Sequence, residues 1–230
     1  MGDLDPKMSG QIETPGKLLT AQDLVLREIR QAIMTRRLKP GQRIRQWDLA
    51  DRLNVSSVPV REALKTLEAE GQVVYEPYRG YRVVDLSVEQ LEEIYLARHL
   101  LEGEVTRRAV KNLDEQLIRR LEETLSRVEE LAAAGDVLAY SEANHEFHFL
   151  LFERARLPRI CHMIDLLWQN SEAYRGLIFG VEWSRRANED HWSILKACKA
   201  RDADRVIAAQ ERHRANAMET IIAYLRDSQS

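Results

Sequence analysis

The stretch between residues 46 and 71 constrains the fold most, because it has the periodicity of two short helices joined by a tight turn. Leu49, Ala50 and Leu53 form the inner stripe of the first helix. After a break, the second helix has apolar residues at the i, i+3, i+4, i+7 spacing, namely Val60, Ala63, Leu64 and Leu67. This arrangement presents a DNA-reading helix to the major groove, although two surface helices of a larger bundle would have the same spacing.

The second of these helices contains the candidate DNA contacts. Ser56 and Ser57 stand at its start, where we expect them to act as N-caps. Pro59 is compatible with the helix because it lies in the first turn, where no intrahelical N–H is needed. Arg61 and Lys65 are one helical turn apart and can project together from the polar face. We expect the two serines and the two basic residues to contact the major groove or its phosphates.

A β-hairpin is predicted directly after the second helix. Residues 73–75 and 81–84 are β-prone runs, and the segment between them contains Pro and Gly. We expect Arg79, at the hairpin tip, to lie near phosphate or the minor groove, while Gly80 lets the backbone approach closely. Helix, turn, helix and hairpin together indicate a winged helix-turn-helix domain, which we place at residues 19–85.

The distribution of charge agrees with a DNA-reading module at the N-terminal end. The whole chain has a net charge of −3, but residues 19–85 contribute +3 and residues 86–230 contribute −5. A modest local excess of positive charge suits a domain whose affinity comes from a few placed cations rather than from a strong overall field.

Composition predicts a soluble, cytoplasmic protein. The chain is 44% hydrophobic and 31% charged, which fits a globular protein with a core. Its two cysteines imply no disulfide framework, and no apolar run approaches the roughly 20 residues of a membrane span. Residues 1–18 are polar and interrupted by Pro and Gly, so we expect a mobile tail rather than a signal peptide.

Residues 86–230 have only helical periodicity. We divide them into six helices joined by short loops, which predicts an antiparallel all-α bundle and a chain that is mainly α. The expected helices lie near residues 88–111, 114–134, 136–155, 157–178, 182–200 and 202–227.

Three histidines, His148, His191 and His213, lie on the inward stripes of three different helices, and Asn144 lies one turn before His148. A single inward histidine is more often a hydrogen-bonded core residue than a ligand. Three neutral imidazoles that converge with an amide oxygen, however, suit a borderline divalent metal such as Zn²⁺ or Ni²⁺. Four such ligands could close a tetrahedral site or leave positions open in an octahedral one.

The first bundle helix places Arg98 in an apolar stripe, where a buried guanidinium requires an anion. Glu102, one turn further on, is one possible partner, and a carboxylate ligand inside the bundle is the other. Trp168, Tyr174 and Arg175 could line the same cavity, although a large core helix would explain the aromatic residues equally well.

Taken together, the two halves resemble the GntR family of bacterial transcription regulators, in the FadR-like branch with an FCD effector domain. The N-terminal resemblance rests on Leu38–Gly41, Asp48–Ala50, Val55–Ser56, Pro59–Leu64, Leu67, Glu70–Gly71 and Arg79–Gly80. The C-terminal resemblance rests on Arg98, Leu101–Glu102, Asn144, His148, Asp190–His191, Ile194 and His213. Six bundle helices are closer to the VanR-type subgroup of this branch.

The resemblance implies a homodimer that binds a palindromic double-stranded DNA operator and is not an enzyme. Residues 86–230 would be the effector-binding and dimerisation domain. The implied ligands of a divalent metal are Asn144, His148, His191 and His213, with a small organic-acid or sugar-acid effector completing the coordination. The residues expected to bind the effector are Arg98, Glu102, Tyr174 and Arg175.

Two positions depart from the family's pattern. Ser57 stands where the family usually has Arg, so a guanine-reading contact cannot be transferred to this position. Asn144 stands where many members have Asp, which removes one negative charge from the implied metal site.

The sequence therefore predicts a DNA-binding transcription regulator, with a repressor as the expected type, whose operator affinity responds to a small carboxylic acid. One alternative is a metal-dependent bundle enzyme. Di-metal bundles need paired Glu-x-x-His motifs, and this sequence has one, at residues 142–145, without a partner. The other alternative is a constitutive DNA-binding protein with a purely structural metal site, whose DNA affinity would not depend on a ligand.

Overall fold

The computed structural model describes residues 20–227, except for the side chains of residues 181 and 182. The tail expected at residues 1–18 lies outside the described residues. The chain is mainly α-helical, as predicted, with a winged helix-turn-helix domain followed by a helical bundle.

The N-terminal domain is built from three helices and one hairpin. They are α1 (Ala21–Met34), α2 (Gln46–Arg52), α3 (Ser57–Ala69), β1 (Val73–Glu76) and β2 (Gly80–Val83). Thr20 and Asp23 form a capping box at the start of α1, since each side chain accepts the other's backbone N–H. Ser56 occupies the N-cap position of α3 without a side-chain cap hydrogen bond, and Ser57 is the first helical residue. The prediction that both serines cap the helix is therefore wrong.

The hairpin is the wing that the sequence predicts. Its strands pair antiparallel, with Val73 opposite Val83 and Glu76 opposite Gly80. Tyr78 occupies the turn with a φ of 64°, a left-handed conformation that non-glycine residues rarely adopt. The turn thereby places Arg79 at the exposed tip of the wing.

Within the described residues, the C-terminal domain contains seven α-helices rather than the expected six. They are α4 (Val88–Ala109), α5 (Glu115–Ala134), α6 (Val137–Phe152), α7 (Pro158–Asn170), α8 (Glu172–Ile178), α9 (Val181–Lys199) and α10 (Ala203–Asp227). The helix expected over residues 157–178 is divided at Ser171, whose hydroxyl donates to the carbonyl of Trp168 at 2.8 Å. Serine competes with helix continuation by bonding nearby backbone groups. The helix count therefore no longer favours the VanR-type subgroup.

The bundle core is formed by apolar side chains at helical spacing on α4, α5, α6, α7, α9 and α10. Its largest fully buried members include Leu117, Leu121, Leu125, Phe147, Leu151, Phe152, Ile164 and Ile194. Burial of these stripes holds the helices together, because each large aliphatic or aromatic side chain contributes about 1.5–3 kcal/mol when it is removed from water. Among residues 20–227, no helix is both long and apolar enough to cross a membrane.

Helix α8 lies between the bundle and the DNA-binding domain. Ala173 packs into the apolar core of the N-terminal domain. A Cβ atom on Gly176 would stand 2.8 Å from the carbonyl oxygen of Met34 in α1, so the two backbones meet closely here. Arg36, just after α1, donates to the carbonyl of Leu177 and has its guanidinium carbon 4.6 Å from the ring centroid of Tyr224. These contacts join the two domains through α8.

Candidate DNA-binding face and candidate metal and effector site

The structure brings four of the six residues predicted to contact DNA to one groove. Ser57, Arg61, Arg79 and Gly80 line a surface groove of about 620 Å³ between α3 and the wing. Lys65 lies one turn along α3 from Arg61, and both basic side chains are more than half exposed. Ser56 is exposed at the start of α3 but is not among the residues that line the groove. The exposed basic side chains therefore lie on the surface that the sequence predicts to contact DNA.

Residues 43–48 also line this groove, although they are not among the predicted DNA contacts. Arg43, Arg45 and Trp47 line it together with Arg61 and Arg79. Trp47 is 83% exposed, which is unusual for so large an apolar side chain. The signal for these residues in the sequence is the pair of arginines, Arg43 and Arg45, just before α2.

The three inward histidines meet inside the bundle. His148 on α6, His191 on α9 and His213 on α10 each offer a ring nitrogen, and these nitrogens lie within 4.8 Å of one another. The Nε2 atoms of His148 and His191 are 3.3 Å apart. Two ligands at about 2.05 Å from one tetrahedral ion are about 3.3 Å apart, so the spacing fits a shared metal. The residues from three helices thus form one cluster, as their stripes predict.

A neighbouring polar group orients one of these imidazoles. Nδ1 of His191 lies 3.4 Å from the side-chain oxygen of Asn188, which favours a proton on Nδ1 and leaves Nε2 with its lone pair. Nδ1 of His213 is buried and has no hydrogen-bond partner among the described residues, and Oδ2 of Asp190 lies 3.7 Å from it. The ring of His191 is therefore arranged to present a free nitrogen to the cluster.

Burial keeps the histidine cluster neutral. Loss of hydration holds the pKa of His148 and of His191 well below the ordinary value, and the neighbouring imidazoles lower both further. Burial also lowers the pKa of His213, although Asp190 acts in the opposite direction. Neutral imidazole is the form that binds a metal ion, so no proton has to be displaced near neutral pH.

Asn144 completes the candidate ligand set. It is buried one helical turn before His148, and its Oδ1 atom has no hydrogen-bond partner among the described residues. An unpaired buried amide oxygen costs free energy unless something binds to it. The donor set of three nitrogens and one oxygen fits a borderline ion such as Zn²⁺ or Ni²⁺.

Arg98 and Glu102 form the centre of a buried ionic network next to the histidines. Nε of Arg98 donates to Oε1 of Glu102 at 2.8 Å, and Nε1 of Trp168 donates to the same oxygen at 3.1 Å. Arg214 on α10 donates to the other oxygen, Oε2. Burial would raise the pKa of Glu102, but the charges of Arg98 and Arg214 outweigh it and leave that pKa below its usual value. The sequence had left two partners open for Arg98, and the structure shows that Glu102 is one of them.

A cavity of about 40 Å³ lies between the arginines and the metal-ligand candidates. Its lining includes three guanidinium groups, those of Arg98, Arg175 and Arg214, together with Asn144 and His213. Met34, Tyr140, Ser141 and Trp168 also line this cavity. Arg175 donates to the Ser171 hydroxyl at 2.8 Å and has its guanidinium carbon 4.7 Å from the centre of the Trp168 ring. The cavity therefore joins the histidine side of the site to α8.

Tyr174 lies elsewhere, contrary to its expected place in the effector site. Its hydroxyl accepts from the backbone N–H of Ser87 at 3.2 Å and lies 3.4 Å from the side-chain oxygen of Gln90. It packs with Leu91 and Ile221 at the junction between the domains and is not among the residues lining the cavity. Trp168 and Arg175, two turns apart, line the cavity, whereas Tyr174 lies next to Arg175 on a different face of α8.

The site also contains two residues that the sequence analysis did not assign to it. Arg214 neutralises part of Glu102, which is 112 residues away in the sequence. Asp190, besides its place near His213, accepts from Asn216 at 2.8 Å, and these neighbours lower its pKa to about 2 although burial acts against them. In the sequence, Asp190 directly precedes the candidate ligand His191, and Arg214 directly follows the candidate ligand His213.

The comparisons with known proteins agree with this architecture. Residues 21–83 match the family described as bacterial regulatory proteins, gntR family, and residues 93–216 match the FCD domain. The HTH-type transcriptional regulator McbR of Escherichia coli strain K12 is 31% identical over 172 residues, which cover 73% of this chain and 77% of the relative. The HTH-type transcriptional repressor RspR of the same strain is 27% identical over 190 residues, which cover 82% of this chain and 83% of the relative.

Solved structures give the same result. The structure of E. coli McbR/YncC matches with a TM-score of 0.74 and 27% identity, covering 93% of this chain and 100% of that one. The relatives are named as transcriptional regulators, so the comparisons support a regulator and not the bundle enzyme that the sequence had left as an alternative. The chain belongs to the GntR family of bacterial transcription regulators, with a DNA-binding winged helix-turn-helix followed by an FCD domain.

Proposed function

We propose that this DNA-binding regulator acts as a homodimer on a palindromic operator, and that a small carboxylic acid bound beside a metal in the bundle modulates its affinity for DNA. The name of RspR, a transcriptional repressor, supports repression as the sense of control. A two-fold dimer would cover two half-sites whose spacing mirrors the protein.

The observation that carries the proposal is an excess of positive charge at the cavity. Three guanidinium groups line it, and the carboxylates that pair with them are Glu102, shared by Arg98 and Arg214, and Glu172, which lies 3.9 Å from Arg175. With the histidines neutral, one positive charge is left over. A desolvated guanidinium is stabilised by a carboxylate, which it can bind through two parallel hydrogen bonds.

The metal would be held by His148, His191, His213 and Asn144. When bound, it would supply a Lewis acid to which a carboxylate oxygen can bind. The proposal of a metal rests on the short spacing of the imidazole nitrogens and on the unpaired Asn144 oxygen. Because an amide replaces a carboxylate in this set, the site has less negative charge, and we expect weaker metal retention than for an aspartate ligand.

The size of the cavity limits the effector. About 40 Å³ holds roughly three water molecules, since one water needs about 10–15 Å³ of such volume. A small acid of a few heavy atoms therefore fits without rearrangement, and a larger sugar acid would require side chains to move. Tyr140 provides a hydroxyl group for such an acid, whereas the Ser141 hydroxyl already donates to Glu172 at 2.7 Å.

Signal transfer to DNA would pass through α8. Arg175 faces the cavity, belongs to α8 and donates to Ser171 at its start, and the same helix contacts α1 of the DNA-binding domain. Met34, at the end of α1, lines the cavity itself. An acid that binds Arg175 would therefore bias the placement of α8 and, with it, of the DNA-binding domain, which is the differential interaction that allostery requires.

Calorimetric titration of small mono- and dicarboxylic acids into metal-loaded protein tests the effector site. For an acid that binds, replacing Arg175 by Gln should weaken affinity about tenfold to a hundredfold, because a charged hydrogen-bond donor is lost. Arg159→Gln, an exposed arginine on α7, is the matched control and should bind like the wild type. Equal affinity of the Arg175 variant and the wild type would remove Arg175 from the site.

A second measurement separates a sensor from a constitutive DNA-binding protein with a structural metal. An operator is first selected from a random DNA library, and its affinity is then measured by fluorescence anisotropy with and without the acid that binds. The proposal predicts a change of about fivefold or more, the usual range of allosteric coupling. An unchanged operator affinity in the presence of saturating acid would favour the constitutive alternative.

A further inference from the structure

The exposure of Trp47 distinguishes it from the other three tryptophans of the chain. Trp47 is 83% exposed, whereas Trp168 is buried and both Trp183 and Trp192 are half-buried. An indole in water forgoes the hydrophobic stabilisation that burial of so large an apolar side chain provides. The apolar core of the N-terminal domain includes other residues of α2 but not Trp47. The packing of this domain therefore does not account for a tryptophan at this position.

Trp47 stands on a part of the domain that is fixed to the wing. The segment just before α2 lies alongside β2, where the N–H of Ile44 donates to the carbonyl of Tyr81 at 2.8 Å. The N–H of Val83 donates in turn to the carbonyl of Gln42 at 2.9 Å. Trp47 is the second residue of α2, directly after this segment. These hydrogen bonds therefore fix the start of α2, and with it the tryptophan, relative to the wing.

Two arginines precede the tryptophan on the same surface. Side chains alternate along an extended segment, and Ile44 is buried, so Arg43 and Arg45 point outward. Both line the same groove as Trp47. That groove is lined by four arginines and one aspartate, Asp48, which is exposed and lies 4.0 Å from Arg45. This excess of positive charge makes a nucleic-acid backbone, rather than an apolar protein surface, the matching occupant.

Duplex DNA offers a specific apolar group to an indole in such a groove. The faces of paired bases are covered by their neighbours in the stack. In the major groove the base edges present hydrogen-bonding atoms and, on thymine alone, the C5-methyl group. Arg61 of α3 lines the same groove as Trp47, so the indole lies beside the bases that α3 would contact. A thymine methyl group next to those bases is therefore the partner that suits Trp47.

We propose that Trp47 reads a thymine through its methyl group, at a base pair next to those contacted by α3, while Arg43 and Arg45 bind the phosphates that flank it. The indole contact involves no charge, so it adds sequence selectivity, whereas the arginines add affinity for any DNA. This inference goes beyond the proposed metal and acid site and depends on DNA binding alone.

Replacement of thymine by uracil tests this contact directly, because uracil lacks only the methyl group. An operator is selected from random DNA with the wild-type protein, and each of its thymines is then replaced by deoxyuridine in turn. For the wild type, the affinity should fall about fourfold at one thymine position in each half-site, the value of one buried methyl group. Trp47→Ala should bind the unmodified operator about tenfold more weakly and show no further loss at that position.

Two further variants control for the loss of an aromatic face and of exposed apolar surface. Trp47→Phe keeps a flat apolar side chain and should retain most of the affinity and of the penalty for uracil. Leu24→Ala removes another exposed apolar side chain, at 43%, from α1 of the same domain but outside the groove. It should bind the operator like the wild type. Because Trp47 is exposed, urea denaturation should show the same stability for its variants as for the wild type.

The salt dependence of binding separates the indole from the arginines. Arg45→Gln removes a phosphate contact, so the slope of log K against log salt concentration should decrease in magnitude by about one. Trp47→Ala should leave this slope unchanged, because no counterion is released by an uncharged contact. A smaller slope for Trp47→Ala would mean that its substitution displaces the arginines, and would contradict a separate apolar contact.

The outcomes are independent of the proposed sensing function. A Trp47→Ala variant that binds the operator as tightly as the wild type would overturn the inference. So would a variant that keeps every uracil penalty of the wild type, since the indole would then not be the group that detects the methyl. Neither measurement requires a bound metal or acid, and an acid without effect on DNA affinity would overturn the proposed sensor while leaving the thymine contact in place.

Discussion

Arginine side chains lie in opposite environments on the proposed DNA-binding face and in the bundle interior. On the DNA-binding face, Arg61 and Arg79 are more than half exposed and have only loose carboxylate neighbours, at 3.8 Å and 3.9 Å. In the bundle, Arg98 and Arg214 are buried and share Glu102. The exposed arginines can bind phosphate without first breaking a tight ion pair. The buried ones are stable only within a complete ionic network.

The two regions should therefore respond differently to substitution. Loss of an exposed cation should remove function and leave the fold intact. Loss of a charge in the buried network should first damage the fold, because the remaining charges have no water to solvate them. The two kinds of effect can be separated by measuring stability and DNA affinity on the same variants.

The largest loss of stability is expected for Glu102→Gln. It would leave Arg98 and Arg214 buried without a carboxylate, and removing one partner of a buried ion pair typically costs about 3–5 kcal/mol. Glu104→Gln is the matched control on the same helix, since Glu104 pairs with Arg108 at the surface. This substitution should lower the free energy of unfolding by less than about 1 kcal/mol. Urea denaturation measures both. Similar losses in the two variants would contradict the distinction between the buried network and the surface.

Acidification should destabilise the metal-free protein through the histidine cluster. The pKa of each of the three histidines is lowered in the folded state, mainly by burial, so the unfolded chain binds more protons below its ordinary histidine pKa of about 6.5. This stability is fully present above that pH and declines as the pH falls below it, until the lowered pKa values of the folded state are reached. Chelator-treated protein should therefore lose stability progressively below about pH 7.

Two histidine variants distinguish the contribution of the cluster to this pH dependence from that of other titrating groups. His148→Gln should flatten the pH dependence in this window, whereas His162→Gln, which changes an exposed histidine on α7, should leave it as in the wild type. Urea denaturation at each pH gives the comparison. A His148 variant that loses stability with acid as steeply as the wild type would mean that the cluster is not buried in its neutral form.

Gly176→Ala probes the connection between the two regions. A Cβ atom here would lie 2.8 Å and 2.9 Å from backbone atoms of Met34, which cannot move as a flexible side chain can. We expect a loss of about 1–3 kcal/mol from overpacking, partly offset by the better helix propensity of alanine, and an altered operator affinity at unchanged metal content. Gly180→Ala has open space around its Cβ and serves as the control in denaturation and anisotropy experiments.

Arg61→Ala should give the smallest effect on stability and a clear effect on DNA binding. Because the side chain is exposed, the free energy of unfolding should change by less than about 0.5 kcal/mol. Loss of a groove contact should weaken operator binding about tenfold to a hundredfold in fluorescence anisotropy. An unaffected operator affinity would refute the role assigned to Arg61, and a large loss of stability would refute the contrast with the buried network.

Much of the fold could be predicted from the sequence because its elements depend on local spacing. The two helices of the DNA-binding motif and the inward position of the three histidines follow from the period of apolar residues, and the wing follows from two β-prone runs around a turn with Pro and Gly. The break at Ser171 could not be predicted in this way, because apolar periodicity does not show where a serine hydroxyl bonds to a backbone carbonyl.

The charges inside the bundle were only partly predictable. Arg98 and Glu102 are one helical turn apart, so their pairing is visible in the sequence. Arg214 reaches Glu102 from another helix, and periodicity does not show which charged residue on one helix faces which on another. The net positive charge of the cavity became visible only with the three-dimensional arrangement.

Elemental analysis of purified, untagged protein tests the proposed metal site, with His148→Ala beside the wild type and His162→Ala as control. We predict roughly one Zn²⁺ or Ni²⁺ per chain in the wild type and in the control, and its loss in the His148 variant. Metal-free wild type that takes up neither ion on incubation would contradict the metal site, and the proposed acid would then have to bind through the arginines alone.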